Sequence, residues 1–215
     1  MTGARTVRFV VKPVVFAAAL MPLGLLAHGA AFGGLGPNPI EAITHGTGDW
    51  TLRFLLITLA LTPLRVLTGW NGFARFRRML GLFAFFYAAL HLLTYLWLDK
   101  FFAWPDIVRD IAKRRFITAG MVGFAILVPL AATSTAGMIR RLGGRAWKRL
   151  HRLAYLAAVA GVVHYWWLVK ADVSRPRTYA IVFAMVLAAR LYVAWRPAGR
   201  PTAPPGSRAS TSARR

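Results

Sequence analysis

Two kinds of residue are scarce in this chain of 215 residues: it contains no cysteine and only 6 aspartates and glutamates. The absence of cysteine excludes disulfides, iron–sulfur ligation, thiolate catalysis and covalent attachment of a c-type haem. Any metal must therefore be bound by histidine, methionine or oxygen ligands. A glycine-rich dinucleotide fingerprint is also absent, so no motif in the chain indicates a nucleotide-binding fold.

Charged residues as a whole are few. They make up 16% of the chain, against 57% hydrophobic residues, and the mean hydropathy is +0.51. This composition is typical of a polytopic membrane protein rather than of a soluble domain. The formal net charge is +22, but the basic residues fall in short loops between long apolar runs. That distribution argues against nucleic acid as a partner and favours a lipid bilayer.

Six apolar runs are long enough to cross a bilayer, which predicts an all-α, polytopic membrane protein with a six-helix bundle over residues 13–195. The runs cover about residues 13–36, 52–67, 79–98, 116–132, 149–170 and 179–195. The first could be a cleaved signal peptide, but its length and the five similar runs behind it favour a span. The remaining segments are interpreted as a basic N-terminus, a polar loop, an interfacial helix, a basic loop and a disordered basic tail (residues 1–12, 37–50, 99–115, 133–148 and 196–215).

Six spans place both termini on the same side of the membrane. The segments on that side carry eighteen of the 28 lysines and arginines, whereas all six acidic residues fall on the other side. Because cytoplasmic loops are enriched in lysine and arginine, we expect both termini to be cytoplasmic.

Three histidines of the apolar runs are candidate ligands. His91 is near the end of the third run, while the fifth run holds His151 near its start and His164 near its end. The third and fifth runs point the same way, so His91 and His164 share a depth near the outer face. His151 lies about 20 Å away along the same predicted helix, at the inner face. The other two, His28 and His45, are interpreted as a helix-end residue and a loop residue.

A facing pair of neutral imidazoles is a suitable axial ligand set for haem iron, and ligation offsets the cost of a polar ring in hydrocarbon. Any single membrane histidine is equally well explained by a hydrogen bond between helices. For the matched pair His91 and His164 we favour haem iron. A transporter is the alternative from another class, and the absence of acidic residues from the six runs argues against it.

The plan of six spans, with His91 on the third and His151 and His164 on the fifth, resembles the MsrQ (YedZ) family of the ferric-reductase-like transmembrane superfamily. Short segments carry the same resemblance: Leu61-Thr62-Pro63, Arg78-Met79-Leu80-Gly81-Leu82, and the stretch from Leu142-Gly143 through Trp147 to Leu150-His151. The resemblance covers about residues 10–195. Each segment is weak alone, and their combination is specific.

This resemblance implies a b-type cytochrome of the bacterial inner membrane, with one or two haems b and with FMN as a further cofactor. Electrons would come from the quinone pool or a cytoplasmic flavin reductase. They would pass to a periplasmic molybdopterin enzyme that reduces methionine sulfoxide in proteins. Because the repair reaction belongs to that partner, the chain is expected to be an electron-transfer subunit without catalytic acids, bases or nucleophiles of its own.

The sequence departs from the wider superfamily in two respects. Ferric reductases and NADPH oxidases carry two histidines on the third span, whereas the inner position here is Arg77 or Arg78, so His151 lacks an obvious partner. Three roles for His151 stay open: a ligand of a second haem, a contact to FMN, or a structural residue. No FAD- or NADPH-binding domain follows the sixth span, which argues against a self-contained ferric reductase and predicts that electrons arrive from another molecule.

Overall fold

The computed structural model describes residues 6–195, and within that range the chain forms helices and no strands. The predicted all-α fold class is therefore confirmed. The predicted tail at 196–215 and the first five residues lie outside the described range. After a π-helical turn at Val7–Val11, the helices are α1 (Lys12–Ala31), α2 (Pro39–Thr68), α3 (Phe73–Leu93, continued by a π-helical turn at Thr94–Asp99), α4 (Trp104–Lys113), α5 (Arg115–Ala132), α6 (Ala136–Leu142), α7 (Gly144–Leu150), α8 (Leu153–Leu168) and α9 (Ser174–Trp195).

Five helices in the described range are long and apolar enough to cross a membrane, and they cover Phe9–Ala31, Pro39–Thr68, Phe73–Asp99, Arg115–Ala132 and Ser174–Trp195. They correspond to five of the six predicted spans. The sixth helix of the bundle, α8, has 16 residues. Its length of about 24 Å is less than the roughly 30 Å of a bilayer core. Five of the six predicted spans are thus supported by length and composition, and the sixth stays a prediction.

The predicted span at residues 149–170 is wrong in its bounds, because the helix is interrupted at His151 and Arg152. Backbone hydrogen bonds there join residues three apart instead of four, as from the Tyr155 N–H to the carbonyl of Arg152 at 3.1 Å. The side chain of His151 folds back over Trp147. His151 therefore ends α7 and does not belong to the helix that carries His164.

The predicted polar loop at residues 37–50 is also wrong, because α2 already begins at Pro39. The Asn38 side chain accepts a hydrogen bond from the Glu41 N–H at 3.2 Å and donates one to the Glu41 carboxylate at 2.9 Å. Asparagine before proline, with glutamate at the third helical position, is a helix-start pattern. As a result His45 and Asp49 lie on a helix, and the expectation that the spans contain no acidic residue fails for α2.

The predicted basic loop at 133–148 contains the short helices α6 and α7. The Thr135 hydroxyl caps the start of α6 by accepting from the Met138 N–H at 3.2 Å. Gly143, which separates the two helices, has a positive φ of 75°. That conformation costs glycine little and suits the sharp change of direction.

The bundle packs as two antiparallel helix pairs, α2 with α3 and α5 with α8, with α9 against α2 and α8. One end of this bundle holds His91 and His164, and we call it the histidine end. The opposite end holds Arg65, Arg77 and His151, and we call it the arginine end. Because neighbouring helices are antiparallel, α3 and α8 both run towards the histidine end.

Tyr87 of α3 connects α1 to this core and is fully buried. Pro22 lies inside α1, and the Tyr87 hydroxyl contacts two backbone groups that flank it, four residues apart. It donates to the Ala19 carbonyl at 2.9 Å and accepts from the Leu23 N–H at 3.1 Å. One side chain thus satisfies a backbone carbonyl and a backbone N–H next to the proline, as membrane helices require.

Candidate functional site

The structure brings His91 of α3 and His164 of α8 together at the histidine end. Their ring centroids are 5.9 Å apart, and the ring planes are nearly perpendicular at 82°. The predicted meeting of these two histidines at one depth agrees with this arrangement. His151 lies apart from them, in the other half of the bundle.

Backbone carbonyls fix the orientation of both rings. His91 Nδ1 lies 2.9 Å from the carbonyl oxygen of Thr44 on α2, and His164 Nδ1 lies 2.6 Å from that of Phe116 on α5. A carbonyl can only accept, so Nδ1 carries the proton in each ring. The Nε2 atoms then hold free lone pairs, and neither has a hydrogen-bond partner within residues 6–195. Imidazoles held in this way are prepared as metal ligands.

Glycines face both rings from the neighbouring helices. A Cβ atom on Gly48 of α2 would lie 3.1 Å from His91 Nδ1, and one on Gly120 of α5 would lie 2.8 Å from His164 Nδ1. Both distances are shorter than ordinary carbon–nitrogen contacts. Any larger residue at either position would push the ring away from its carbonyl.

A cavity of about 250 Å³ adjoins both histidines. Its walls come from α2, α3, α5 and α8 and are mainly apolar, with members such as Leu55, Phe124 and Leu127. His45 also borders it, although sequence reasoning had placed that residue in a loop. His28 sits in the last turn of α1 and stacks on Phe32 at 4.6 Å, as expected of a helix-end residue.

Ion pairs surround the mouth of this cavity. Asp49 of α2 lies 3.9 Å from Arg53 and 3.7 Å from Arg175, which ties the start of α9 to α2. Two aromatic hydroxyls join such networks: that of Tyr179 lies 3.4 Å from Asp49, and that of Tyr95 lies 3.2 Å from Asp110.

Asp110 attaches the short helix α4 to the same end. It accepts from Lys100 Nζ at 2.7 Å and from Arg114 Nε at 3.1 Å. The hydrogen bond from Lys100 lowers the pKa of Asp110 below its ordinary value. The carboxylate therefore stays charged and keeps α4 close to the cavity mouth.

A second cavity, of about 300 Å³, lies at the arginine end beside His151. The His151 ring stacks on Trp147 with a centroid distance of 3.9 Å and donates from Nδ1 to the carbonyl of that residue at 3.1 Å. Its Nε2 is 3.4 Å from the Ser134 hydroxyl, which already donates to Leu130 at 2.7 Å. Burial lowers the pKa of His151 below its ordinary value.

Three arginines border this second cavity: Arg65, Arg77 and Arg78. None of them forms an ion pair with a residue in the described range. The buried hydroxyl of Thr58, also in the cavity wall, has no hydrogen-bond partner there either. The structure thus places Arg77 and Arg78, the residues at the position of the missing histidine, around the same space as His151. Such a donor-rich wall suits phosphate or carboxylate groups.

Arg190 of α9 approaches the arginine end from the other side, and each of its three nitrogens already donates a hydrogen bond. It donates to the Leu59 carbonyl and the Thr62 hydroxyl, each at 2.9 Å, and to the Tyr155 hydroxyl. These bonds connect α9 to α2 and α8. The structure therefore assigns Arg190 a packing role.

Within residues 6–195 no group of three or more histidines, aspartates and glutamates is arranged to hold a bare metal ion. The histidine end offers two facing imidazoles, and haem is the metal cofactor that needs only axial ligands of this kind, because the porphyrin supplies the remaining ligands. The apolar walls suit a macrocycle. The residues present therefore fit a b-type haem.

Comparisons with known proteins agree with this chemistry. The family described as "Ferric reductase like transmembrane component" matches residues 47–162. Three similar chains each carry the name protein-methionine-sulfoxide reductase heme-binding subunit MsrQ. The one from Rhodospirillum rubrum is 56% identical over 184 residues, covering 85% of this chain and 88% of its own. The one from Herminiimonas arsenicoxydans is 52% identical over 188 residues, covering 86% of each chain. The one from Xanthomonas campestris is 49% identical over 203 residues, covering 90% and 93%. The chain therefore belongs to the MsrQ family of ferric-reductase-like transmembrane proteins.

Proposed function

We propose that this protein is the electron-transfer subunit of a methionine-sulfoxide reductase system, with a haem b bound between His91 and His164. The observation that carries the proposal is the pair of facing imidazoles, each donating from Nδ1 to a carbonyl and each presenting a free Nε2. Haem supplies reversible one-electron chemistry at its iron. The chain itself supplies the ligands, an apolar cavity and a fixed ring orientation.

The two histidines would hold the haem, and the carbonyls of Thr44 and Phe116 would increase their basicity by accepting hydrogen bonds from Nδ1–H. Increased ligand basicity favours the ferric state and lowers the reduction potential. Asp49 and Arg114, members of these ion pairs, line the cavity, so an acceptor docked beside them would come close to the cofactor. We assign no catalytic side chain, because sulfoxide reduction belongs to the partner.

The proposed topology has both termini in the cytoplasm, the arginine end at the cytoplasmic face and the histidine end at the periplasmic face of the bacterial inner membrane. The distribution of lysine and arginine supports it. In this arrangement α8 crosses with the others and completes six spans. A periplasmic molybdopterin methionine-sulfoxide reductase would then receive electrons at the histidine end.

Electrons would be delivered at the arginine end, from the quinone pool or a cytoplasmic flavin reductase. Two observations support a cofactor there: the Nε2 of His151 lies at a long 3.4 Å from the Ser134 hydroxyl, and the three arginines form no ion pair within residues 6–195. A second haem, through its propionates, and FMN, through its phosphate, both match this chemistry. His151 would be a ligand of the former or a contact to the latter.

A reduced-minus-oxidised visible spectrum of the purified protein, with haem quantified as pyridine haemochrome, tests the proposal. The parent should show a b-type spectrum, and His91→Ala or His164→Ala should abolish the haem held at the histidine end. His45→Ala is the matched control, because it changes a histidine of the same cavity and should leave that spectrum intact. A colourless parent after haem-replete expression would contradict the proposal and return a transporter as the explanation.

Ferric reduction is the second candidate, because the matched family is described as ferric-reductase-like. An assay with the reduced protein separates the two. Oxidation by the sulfoxide reductase but not by ferric chelates supports the proposed function, and the reverse supports the second candidate.

A further inference from the structure

Both haem-ligand candidates are oriented by the same local construction on different helix pairs. On α2, the carbonyl that accepts from His91 belongs to Thr44, and a glycine follows four residues later at Gly48. On α5, the carbonyl that accepts from His164 belongs to Phe116, and Gly120 again follows four residues later. The spacing is identical although the two helices share no other pattern at this point.

The spacing has a physical reason. Inside an α-helix the carbonyl of residue i already accepts the N–H of residue i+4, and a third group reaches it only from the side. Side chains on a helix tilt towards its N-terminus, so the side chain of residue i+4 covers that carbonyl. A glycine at i+4 leaves the carbonyl uncovered, and an imidazole N–H can become its second donor.

We propose that Gly48 and Gly120 are positioning residues for the haem ligands, each opening the carbonyl of the preceding helical turn to the Nδ1–H of the facing histidine. This inference rests on the proposed function for its effect on haem binding and reduction potential. Its structural part concerns the protein alone: the two glycines select the tautomer that keeps Nε2 free for a metal.

The two positions should differ in strength. At Gly120 an added Cβ would lie 2.8 Å from the ring nitrogen, and the hydrogen bond it protects is the shorter one at 2.6 Å. At Gly48 the corresponding distances are 3.1 Å and 2.9 Å. The Thr44 carbonyl also accepts from the Thr47 hydroxyl at 2.9 Å, so it is shared more widely. Gly120→Ala should therefore disturb its ring more than Gly48→Ala.

The test compares these two variants with two glycine controls on α1. Gly24→Ala adds a methyl group into open space, and Gly29→Ala adds one 2.7 Å from the flexible side chain of Leu35, which matches the crowding without touching a histidine. The first readout is ¹⁵N NMR of histidine-labelled, haem-free protein. In the parent, His91 and His164 should show protonated Nδ1; in Gly120→Ala the His164 signal should move towards the other tautomer, and the controls should match the parent.

The second readout is the haem-loaded protein. Loss of an outer hydrogen-bond partner weakens metal binding roughly 10- to 100-fold. Gly120→Ala should fall in this range, with a raised reduction potential and altered low-spin EPR signals because the ring has turned. Unchanged ¹⁵N signals in Gly120→Ala and Gly48→Ala would overturn the inference while leaving the haem proposal intact. The expected ¹⁵N shifts in a protein that binds no haem would retain the inference and overturn the proposed function instead.

Discussion

The two ends of the bundle bury histidines in opposite surroundings. At the histidine end, two imidazoles face each other across apolar walls, and their partners are neutral backbone carbonyls. At the arginine end, a single imidazole stacks on Trp147 beside three arginines that form no ion pair in the described part of the chain. The two ends therefore differ in ligand number and local charge: the first suits a metal held by two neutral ligands, and the second suits an anionic group.

The largest effect that separates the two ends is expected from His151→Ala. This variant should lose the second cofactor, seen as reduced haem or flavin per protein, while the spectrum that depends on His91 and His164 persists. Pyridine haemochrome and flavin fluorescence measure both quantities. His28→Ala, a helix-end histidine stacked on Phe32, is the control and should lose neither. Full cofactor retention, with only a lower thermal midpoint, would assign His151 a structural role.

Removing charge at the arginine end should slow reduction by an anionic donor. In the double variant Arg77→Gln and Arg78→Gln, the rate of haem reduction by a reduced flavin phosphate should fall about tenfold and depend less on salt, because electrostatic attraction is lost. Stopped-flow absorbance at several ionic strengths measures this. The control is Arg140→Gln with Arg141→Gln, which removes the same charge from exposed positions on α6 outside the cavity. Equal slowing in both would mean that total charge, and not the cavity, attracts the donor.

Substitution of Arg190 tests whether the packing of α9 is independent of cofactor binding at the two ends. Arg190→Leu removes donors to Leu59, Thr62 and Tyr155 and should destabilise the protein by about 1 to 2 kcal/mol, with both cofactor spectra unchanged. Thermal unfolding in detergent measures the loss, and Arg190→Lys should recover part of it. A selective loss of one cofactor would show that Arg190 binds it directly.

The smallest effect concerns the attachment of α4 at the histidine end. Asp110→Asn weakens the contacts to Lys100 and Arg114, and hydrogen exchange in α4 should accelerate about twofold to fivefold at pH 7. Because the folded pKa of Asp110 is lowered, its stabilisation is fully present above the unfolded value of about 3.9 and is lost as the pH falls through the folded value. Below that pH the parent should exchange like the variant. Asp106→Asn, on the exposed side of the same helix, should show neither change.

Long apolar runs are enough to locate α1, α2, α3, α5 and α9, since bilayer thickness sets their length. The meeting of His91 and His164 also follows from the sequence, because the direction of each helix is determined by counting spans. Shorter features escape this reasoning. The start of α2 depends on the cap formed by Asn38 and Glu41, and the break before α8 depends on how His151 folds over Trp147.

The carbonyls of Thr44 and Phe116 could not be predicted, because every residue carries the same backbone oxygen and only packing decides which one an imidazole reaches. The glycines four residues later are a visible signal, although glycine is frequent in membrane helices and marks nothing by itself. At the arginine end, the sequence identifies Arg77 and Arg78 as replacements for a histidine. Their common cavity with His151 is apparent only from the fold.

The central claim is that electrons leave through the histidine end. The direct measurement uses the His151→Ala protein, which we expect to retain the histidine-end haem. The protein is reduced in sealed vesicles and mixed with membrane-impermeant ferricyanide outside. A tag is placed after Trp195, at the end of α9 that lies at the arginine end. Its accessibility from outside the vesicle gives the orientation of each molecule. The account predicts that the rapidly oxidised fraction equals the fraction with the histidine end outward. A rapidly oxidised fraction equal to that with the arginine end outward would contradict it.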